Sequence, residues 1–426
     1  MGALDAEVIV VGGGPAGSAT ASFLARAGLD VLLLDRAHFP RDKPCAEYLS
    51  PQASRVLDEL GALESVEHAG PAHLIGMQVH APSGATFTGE FVADHGFRGF
   101  RDHGLALRRS VLDSILLDHA RKHGARVLEG TAVSGLLFAD GRTAGVTVRD
   151  RDGTRELRAR LIVGADGLRT VIGRRLGLVR AGRWPRRVAL VMHYSGIAGM
   201  GPHGEMHVFG DGYVGLADVG GGITNVAIVV PATRAPEMKG ASGGFADRWI
   251  AAHPSVAPRF DGAHRLTTPM ATGPFNQRAR RAWSPGVALV GDAADFFDPF
   301  TGEGIYAALR GAELLTPYAF DAVRSSDVKG DVALAAYDRC RRNEFGGKWR
   351  VERLVGTAVG LPLLFNRAAS VLAARRDLAD LFVGVTGDFV PARHVLRPGY
   401  LVQLLGFPRS GGARQAGRST ISSSVS

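Results

Sequence analysis

Residues 7–28 read EVIVVGGGPAGSATASFLARAG, and the spacing within that run decides the fold. Val8, Ile9, Val10 and Val11 form an unbroken apolar run, the pattern of a strand covered on both faces of a parallel sheet. The run ends in Gly12, Gly14 and Gly17 and passes into a helix rich in small residues. In that setting Gly12 permits the tight turn, Gly14 lets a diphosphate approach the backbone and Gly17 lets helix and strand touch. The free N–H groups and partial positive charge of the helix start suit phosphate oxygens. A second strand, 31–34, ends in Asp35, about 20 residues beyond the glycines, where a carboxylate can hold a ribose 2′-OH. An acid at that point selects an unphosphorylated ribose, hence FAD or NAD rather than NADP.

Glycine spacing alone would mislead. It recurs at Gly199, Gly201 and Gly204 and again at Gly210, Gly212 and Gly215. Neither copy follows a buried strand and opens a helix, so both read as turns.

At 426 residues the chain exceeds one ordinary domain. Cys45 and Cys340 are too few and too far apart for a disulfide framework, which suits a reducing cytoplasm. The start, MGALDAE, lacks the regions of a signal peptide, and no apolar run reaches the roughly 20 residues of a membrane-spanning helix. The net charge is +9. The basic residues are scattered without a nucleic-acid-binding pattern, which points to an anionic cofactor, an anionic substrate or a lipid surface instead.

After Asp35 a polar loop, HFPRDKPCAEYLSP (38–51), leads into a helix at 52–60. Residues 71–100 read as a hairpin around Pro82, Ser83 and Gly84. His119 and His123 share a helical face at metal-ligand spacing, but without an HExxH pattern they read as a solvated face, and no metal site is expected. Residues 132–160 read as a meander, and LIVGADGLRTVIGRRLG (161–177) repeats strand, glycine turn and helix. The short alternating segments at 188–230 read as an antiparallel sheet. At 287–290 a buried strand returns, followed by Gly291-Asp292 and a loop with Pro299, Gly302 and Gly304 that opens a long helix. The rest is helical to about Leu405. Its apolar patch, Leu354 to Phe365, suits lying on a surface, closing over an apolar substrate or packing inside the core. Residues 407–426 have a disordered composition.

The expected fold is α/β. A discontinuous doubly wound (Rossmann-like) dinucleotide-binding domain comprises 1–70, 101–178 and 282–320. An antiparallel-sheet substrate domain is inserted at 71–100 and 179–281, and a helical region follows at 321–406.

These motifs in this order resemble the flavoprotein superfamily of para-hydroxybenzoate hydroxylase, and within it the geranylgeranyl reductase-like branch. The resemblance implies that GGGPAG (Gly12, Gly14, Pro15, Ala16 and Gly17), with Asp35 and Arg36, holds the ADP half of FAD. It further implies that Arg109 contacts FAD, that Asp166 of GADG supports the diphosphate region, and that Asp292, after Gly291, binds the ribityl chain. Pro299, Gly302, Gly304 and Ile305 would set backbone N–H groups beside the isoalloxazine ring, where a helix start stabilises the charge of reduced flavin. In KPCAEYLSP, Cys45, Glu47 and Leu49-Ser50-Pro51 match the reductase-like branch, while Ala46 replaces a glycine and Tyr48 fills a position often small. Cys45 and Ala46 would then lie by the flavin, the thiol shaping substrate position or proton supply; on its own residues the thiol also reads as a small packing group. Glu303 reads as an acid or base facing the flavin, or as a helix cap with Thr301. His193, Tyr194 and His207 lie on substrate-sheet strands, and Asp295 and Asp298 read as loop-structuring. The Trp-x-Trp-x-Ile-Pro segment of halogenase relatives is absent.

The implied activity is hydride transfer from reduced FAD to a carbon-carbon double bond of a polyprenyl or similar apolar substrate. NAD(P)H would serve as a transient reductant, and the enzyme would be cytoplasmic or peripheral to the membrane. The rivals are an FAD-dependent monooxygenase acting on an aromatic, polyketide or terpenoid metabolite, and a non-catalytic electron-transfer flavoprotein.

Overall fold

A computed structural model describes residues 3–406; the disordered tail expected at 407–426 lies outside the described residues. Val8–Val11 sits inside a six-stranded sheet. It pairs in parallel with Val31–Leu34 on one side and Leu161–Gly164 on the other. Arg126–Leu128 and Val287–Leu289 extend the two sides, also in parallel, and Trp283–Ser284 ends the sheet antiparallel. Every residue of the three inner strands is buried, as continuous apolar runs require. Helices Pro15–Arg26, Arg109–Lys122 and Gly304–Arg324 pack together over the sheet. The meander expected at 132–160 is present, and its Val146, Val148 and Leu157 join the same core.

A second, eight-stranded sheet is built on Arg187–Ser195, Ile223–Pro231, Gly212–Asp218 and His203–Phe209, with the hairpin Gly76–His80 and Thr86–Glu90 at one end. The antiparallel expectation needs one correction. His203–Phe209 pairs with Gly76–His80 in parallel, because the hairpin arrives from an earlier, separate stretch of chain. Side chains alternate across this sheet with the period of two that strands impose. Ala189, Val191, Met206, Ala227 and Val229 face the C-terminal helices. Leu190, Met192, Val214, Val226 and Ile228 face helix Ser242–Ala251. Neither later glycine copy opens a helix: Gly199 and Gly210 lie in turns, as expected, but Gly204, Gly212 and Gly215 lie on the two strands of a hairpin. His119 departs from its expectation. It is buried, 3.2 Å from Ser65 Oγ, rather than on a solvated face.

Candidate active site

The glycine turn is tied to its acid. Asp35 Oδ2 accepts a hydrogen bond from Gly13 N at 2.6 Å, and Oδ1 accepts one from Ala37 N at 2.8 Å; Arg36 is exposed beside it. Gly12 holds φ +105°, which a side chain would strain. Above Gly14 lie two guanidiniums: a Cβ there would stand 3.6 Å from Arg109 Nη2 and 3.8 Å from Arg41 Nη2. Arg109 donates Nε and Nη2 to buried Asp113 at 2.7 and 2.8 Å, and Arg41 Nη1 lies 2.9 Å from the same carboxylate. Lys43 is the third cation. Burial, and then Arg109 and Arg41, push its ammonium toward the neutral form. Burial pushes the Asp292 carboxyl up to about 6, while Lys43 and Arg109 pull it down. Asp166 accepts from Val171 N at 2.6 Å through Oδ2, and its buried Oδ1 has no partner.

An extended dinucleotide fits these residues. A diphosphate over the helix start would relieve the repulsion among the three cations, and Asp35, Asp166 and Asp292 offer acceptors for hydroxyl groups. The sequence pattern pointed to Arg109 but to neither Arg41 nor Lys43. Their one advance signal was the density of basic residues in the loop after Asp35.

The loop's other end carries Cys45, Ala46 and Glu47. Glu47 is 1% exposed and holds φ +61°, a conformation that costs a non-glycine residue on the order of 1 kcal/mol. Its carboxylate knots three elements together. Oε1 accepts from Arg109 N at 2.7 Å, and Oε2 lies 2.7 Å from His193 Nε2 and 2.9 Å from Asn225 Nδ2. His193 and Asn225 are register partners on adjacent strands of the second sheet. Asn225 Nδ2 also donates to Cys45 O at 2.9 Å. Glu47 N points at Cys45 Sγ, 3.3 Å away. Burial pushes the thiol up, against the pull of Arg109, so it keeps its proton at neutral pH. Glu47 was legible as a motif match only; its partners come from residues 146 and 178 positions away.

Beside this knot a small pocket, with about 40 Å³ of internal space, is lined by Ala46, Tyr48, Met77, Met206, Asn225, Pro299, Phe300 and Gly302, among others. Gly302 has φ +73°, and a Cβ there would come within 2.8 Å of Tyr48 Cδ1. The tyrosine fills its position by packing under the loop. Gly304 opens the long helix 4.0 Å (ideal Cβ) from Asp292 Oδ1, and Ile305 is buried in its first turn.

Glu303 is not in the pocket lining. It occupies the N-cap position without a side-chain cap bond, so the expected cap with Thr301 is not formed. Its carboxylate lies 3.4 Å from Lys348 Nζ. Lys348 also pairs with Asp388 and sits 4.7 Å over the Tyr306 ring. Burial pushes the Glu303 and Asp388 carboxyls up, and Glu352, which joins the group, up to about 7. One ammonium among three carboxyls leaves protons held there at neutral pH. Asp295 and Asp298 are loop-structuring as expected: Asp295 pairs with Arg341, and Asp298 holds Arg187 and Tyr213.

His207 serves a different group. His80, Glu205 and His207 come close enough to hold a cation, but Arg259 supplies the positive charge, with Nη2 3.0 Å from Glu205 Oε1. Burial works to raise Glu205, yet hydrogen bonds from His207 and Arg259 bring it down to about 2. A depressed carboxyl stabilises the fold above its unfolded value and loses that effect as pH falls toward 2, here about 3 kcal/mol. Arg259→Met is therefore expected to raise the acid-unfolding midpoint, read by tryptophan fluorescence, by roughly one pH unit; an unmoved midpoint would show that the pair contributes nothing.

The FAD binding domain family matches residues 5–317. The chain belongs to that family. It is an FAD-binding member of the FAD-dependent oxidoreductase enzymes. Digeranylgeranylglycerophospholipid reductase 2 of Methanopyrus kandleri is 29% identical over 394 residues, covering 91% of this chain and 94% of that one. Menaquinone reductase of Mycobacterium tuberculosis is 32% identical over 322 residues, covering 71% and 73%. Among solved structures, the myxobacterial chondrochloren halogenase CndH has a TM-score of 0.75 at 25% identity, covering 94% and 95%.

Proposed function

We propose that this enzyme reduces carbon-carbon double bonds of a polyprenyl or similarly apolar substrate, with NAD(P)H as transient reductant. The pocket lining carries the reading. Met77, Met206, Ala227 and Phe300 make an oily slot, Asn225 and Tyr48 are its polar members, and Glu205 is already spent on Arg259 and His207. The carboxylate of the lining is therefore not free to activate an aromatic ring as a base. Double-bond reduction asks for an apolar slot and one proton. The reductase relatives of digeranylgeranyl lipid and menaquinone support the same reading.

Bound FAD would supply the hydride. In this reading the chain binds it with Gly12, Gly14, Pro15, Ala16, Gly17, Asp35, Arg36, Arg41, Lys43, Arg109, Asp166, Gly291 and Asp292. Pro299, Gly302, Gly304 and Ile305 position the ring edge. The apolar lining excludes water, and the Cys45 thiol holds the proton, kept in place by the Glu47 knot.

A second reading, an oxygen-dependent modification of an aromatic or polyketide-type substrate, is favoured by the likeness to the halogenase fold. An anaerobic assay separates the two: prenyl substrate should be consumed with oxygen excluded, and turnover that stops without oxygen would refute the reductase reading. Cys45→Ser should slow substrate turnover roughly 10- to 100-fold while leaving flavin reduction by NADPH unchanged. Equal rates in both half-reactions would make the thiol a packing group.

A further inference from the structure

We propose that Trp184, the arginines around it and the leucine corner at Leu361–Leu364 form a surface that docks on an anionic lipid bilayer. The surface would admit substrate to the pocket, and in that respect the inference rests on the apolar-substrate reading above. Residues 180–187, RAGRWPRR, hold four arginines, one tryptophan and no acid. Arg180, Arg183 and Arg186 are exposed, and Trp184 is 57% exposed. Arg187 instead turns inward and anchors the segment: Nη1 donates to Asp298 at 2.6 Å and Nη2 to Gly356 O at 2.8 Å.

That anchor sets Trp184 against the end of helix Asp327–Val359, where a Cβ on Gly360 would meet the indole at 3.0 Å. The next helix, Pro362–Ala374, leaves at 113°. The corner between them holds Leu361, Leu363 and Leu364 in water, Leu363 at 89% exposure. Residues 353–367 add Arg353 and Arg367 and no acid. No single helix among the described residues is long and apolar enough to cross a membrane. Exposed leucines and a tryptophan inside a basic rim are the composition of a surface that rests in the headgroup layer, and the sign of the rim selects anionic lipid.

The corner also leads inward. Phe365, the residue after Leu364, is buried, and its ring centroid lies 6.2 Å from that of Phe300, which lines the pocket. Apolar contact therefore runs from the exposed corner through Phe365 to Phe300 at the pocket.

Co-sedimentation of the FAD-loaded enzyme with phosphatidylglycerol and phosphatidylcholine vesicles tests this. Binding should be at least about tenfold tighter to phosphatidylglycerol and should weaken with salt. Arg183→Ala with Arg186→Ala should reduce it roughly 25-fold. Leu361→Ser, Leu363→Ser and Leu364→Ser together should reduce it by more than roughly a hundredfold, and Leu363→Ser alone, at 89% exposure, should weaken it with an unchanged melting temperature. Wild-type enzyme that stays in the supernatant, or variants that bind like wild type, would overturn the proposal. So would a dimer, seen by sedimentation velocity, that the leucine variant splits while vesicles are ignored. A short prenyl substrate in detergent keeps the two readings apart. Vesicle binding without any prenyl turnover leaves the docking surface standing and removes the reductase; turnover without vesicle binding does the reverse.

Discussion

Gly17→Ala is expected to give protein that takes up no flavin and is destabilised by upward of about 3 kcal/mol, beyond the usual range for one added methyl. A Cβ at this position would stand 1.7 Å from Gly12 O and 2.9 Å from Gly12 C. The obstacle is backbone, so no rotamer change relieves it. The helix must move off the strand, or the turn must open, and either displaces the N–H groups of the helix start from the diphosphate position. Urea unfolding and flavin absorbance after reconstitution measure both losses. Gly201→Ala is the matched control: it belongs to a copy of the same spacing, has open space around it, and should change stability by less than about 0.5 kcal/mol. Wild-type flavin content in Gly17→Ala would mean that the close approach of helix and turn has been misread.

Lys348→Met is expected to cost about 3–5 kcal/mol at pH 8 and much less at pH 5. The substitution keeps most of the apolar stem and removes the charge that Glu303 and Asp388 lean on. Burial already raises the carboxyls of this group, and Lys348 pulls Glu303, Glu352 and Asp388 down; without the ammonium they rise further. A carboxyl whose folded value lies above its unfolded value imposes a penalty that grows as pH rises through that interval and disappears below it. With Glu352 up to about 7 even beside the lysine, the deficit belongs at neutral and alkaline pH. Urea denaturation at the two pH values measures it, and Glu303→Gln in the variant background should recover part of the loss. An equal loss at both pH values would mean that Lys348 acts through packing alone.

The strand-turn-helix units and the antiparallel sheet inserted between them were legible in the sequence, because each is a local pattern. A continuous apolar run, a glycine where φ must be positive and an acid at the end of the next strand are all fixed by neighbours within about 25 residues. The Cys45–Glu47 segment was legible as a match but not as a knot. Glu303 looked like a cap or a flavin-facing acid because its sequence neighbours, Thr301 and Gly304, are those of a helix start. Its partners in the structure, Lys348 and Glu352 on a later helix and Asp388 in the turn after another, have nothing in their own surroundings to mark them.

The sequence by itself determined the strand, the tight glycine turn and the helix start at residues 8–26, since backbone sterics and helix-end charge act over a few residues. Only the tertiary structure decided which side chains face one another across the two sheets. His193 and Asn225 reach Glu47, Arg259 takes the charge of Glu205, and Trp184 meets Gly360 because strand register and helix packing close long loops. Such contacts depend on three-dimensional distance, and one chain's order of residues carries no mark of it.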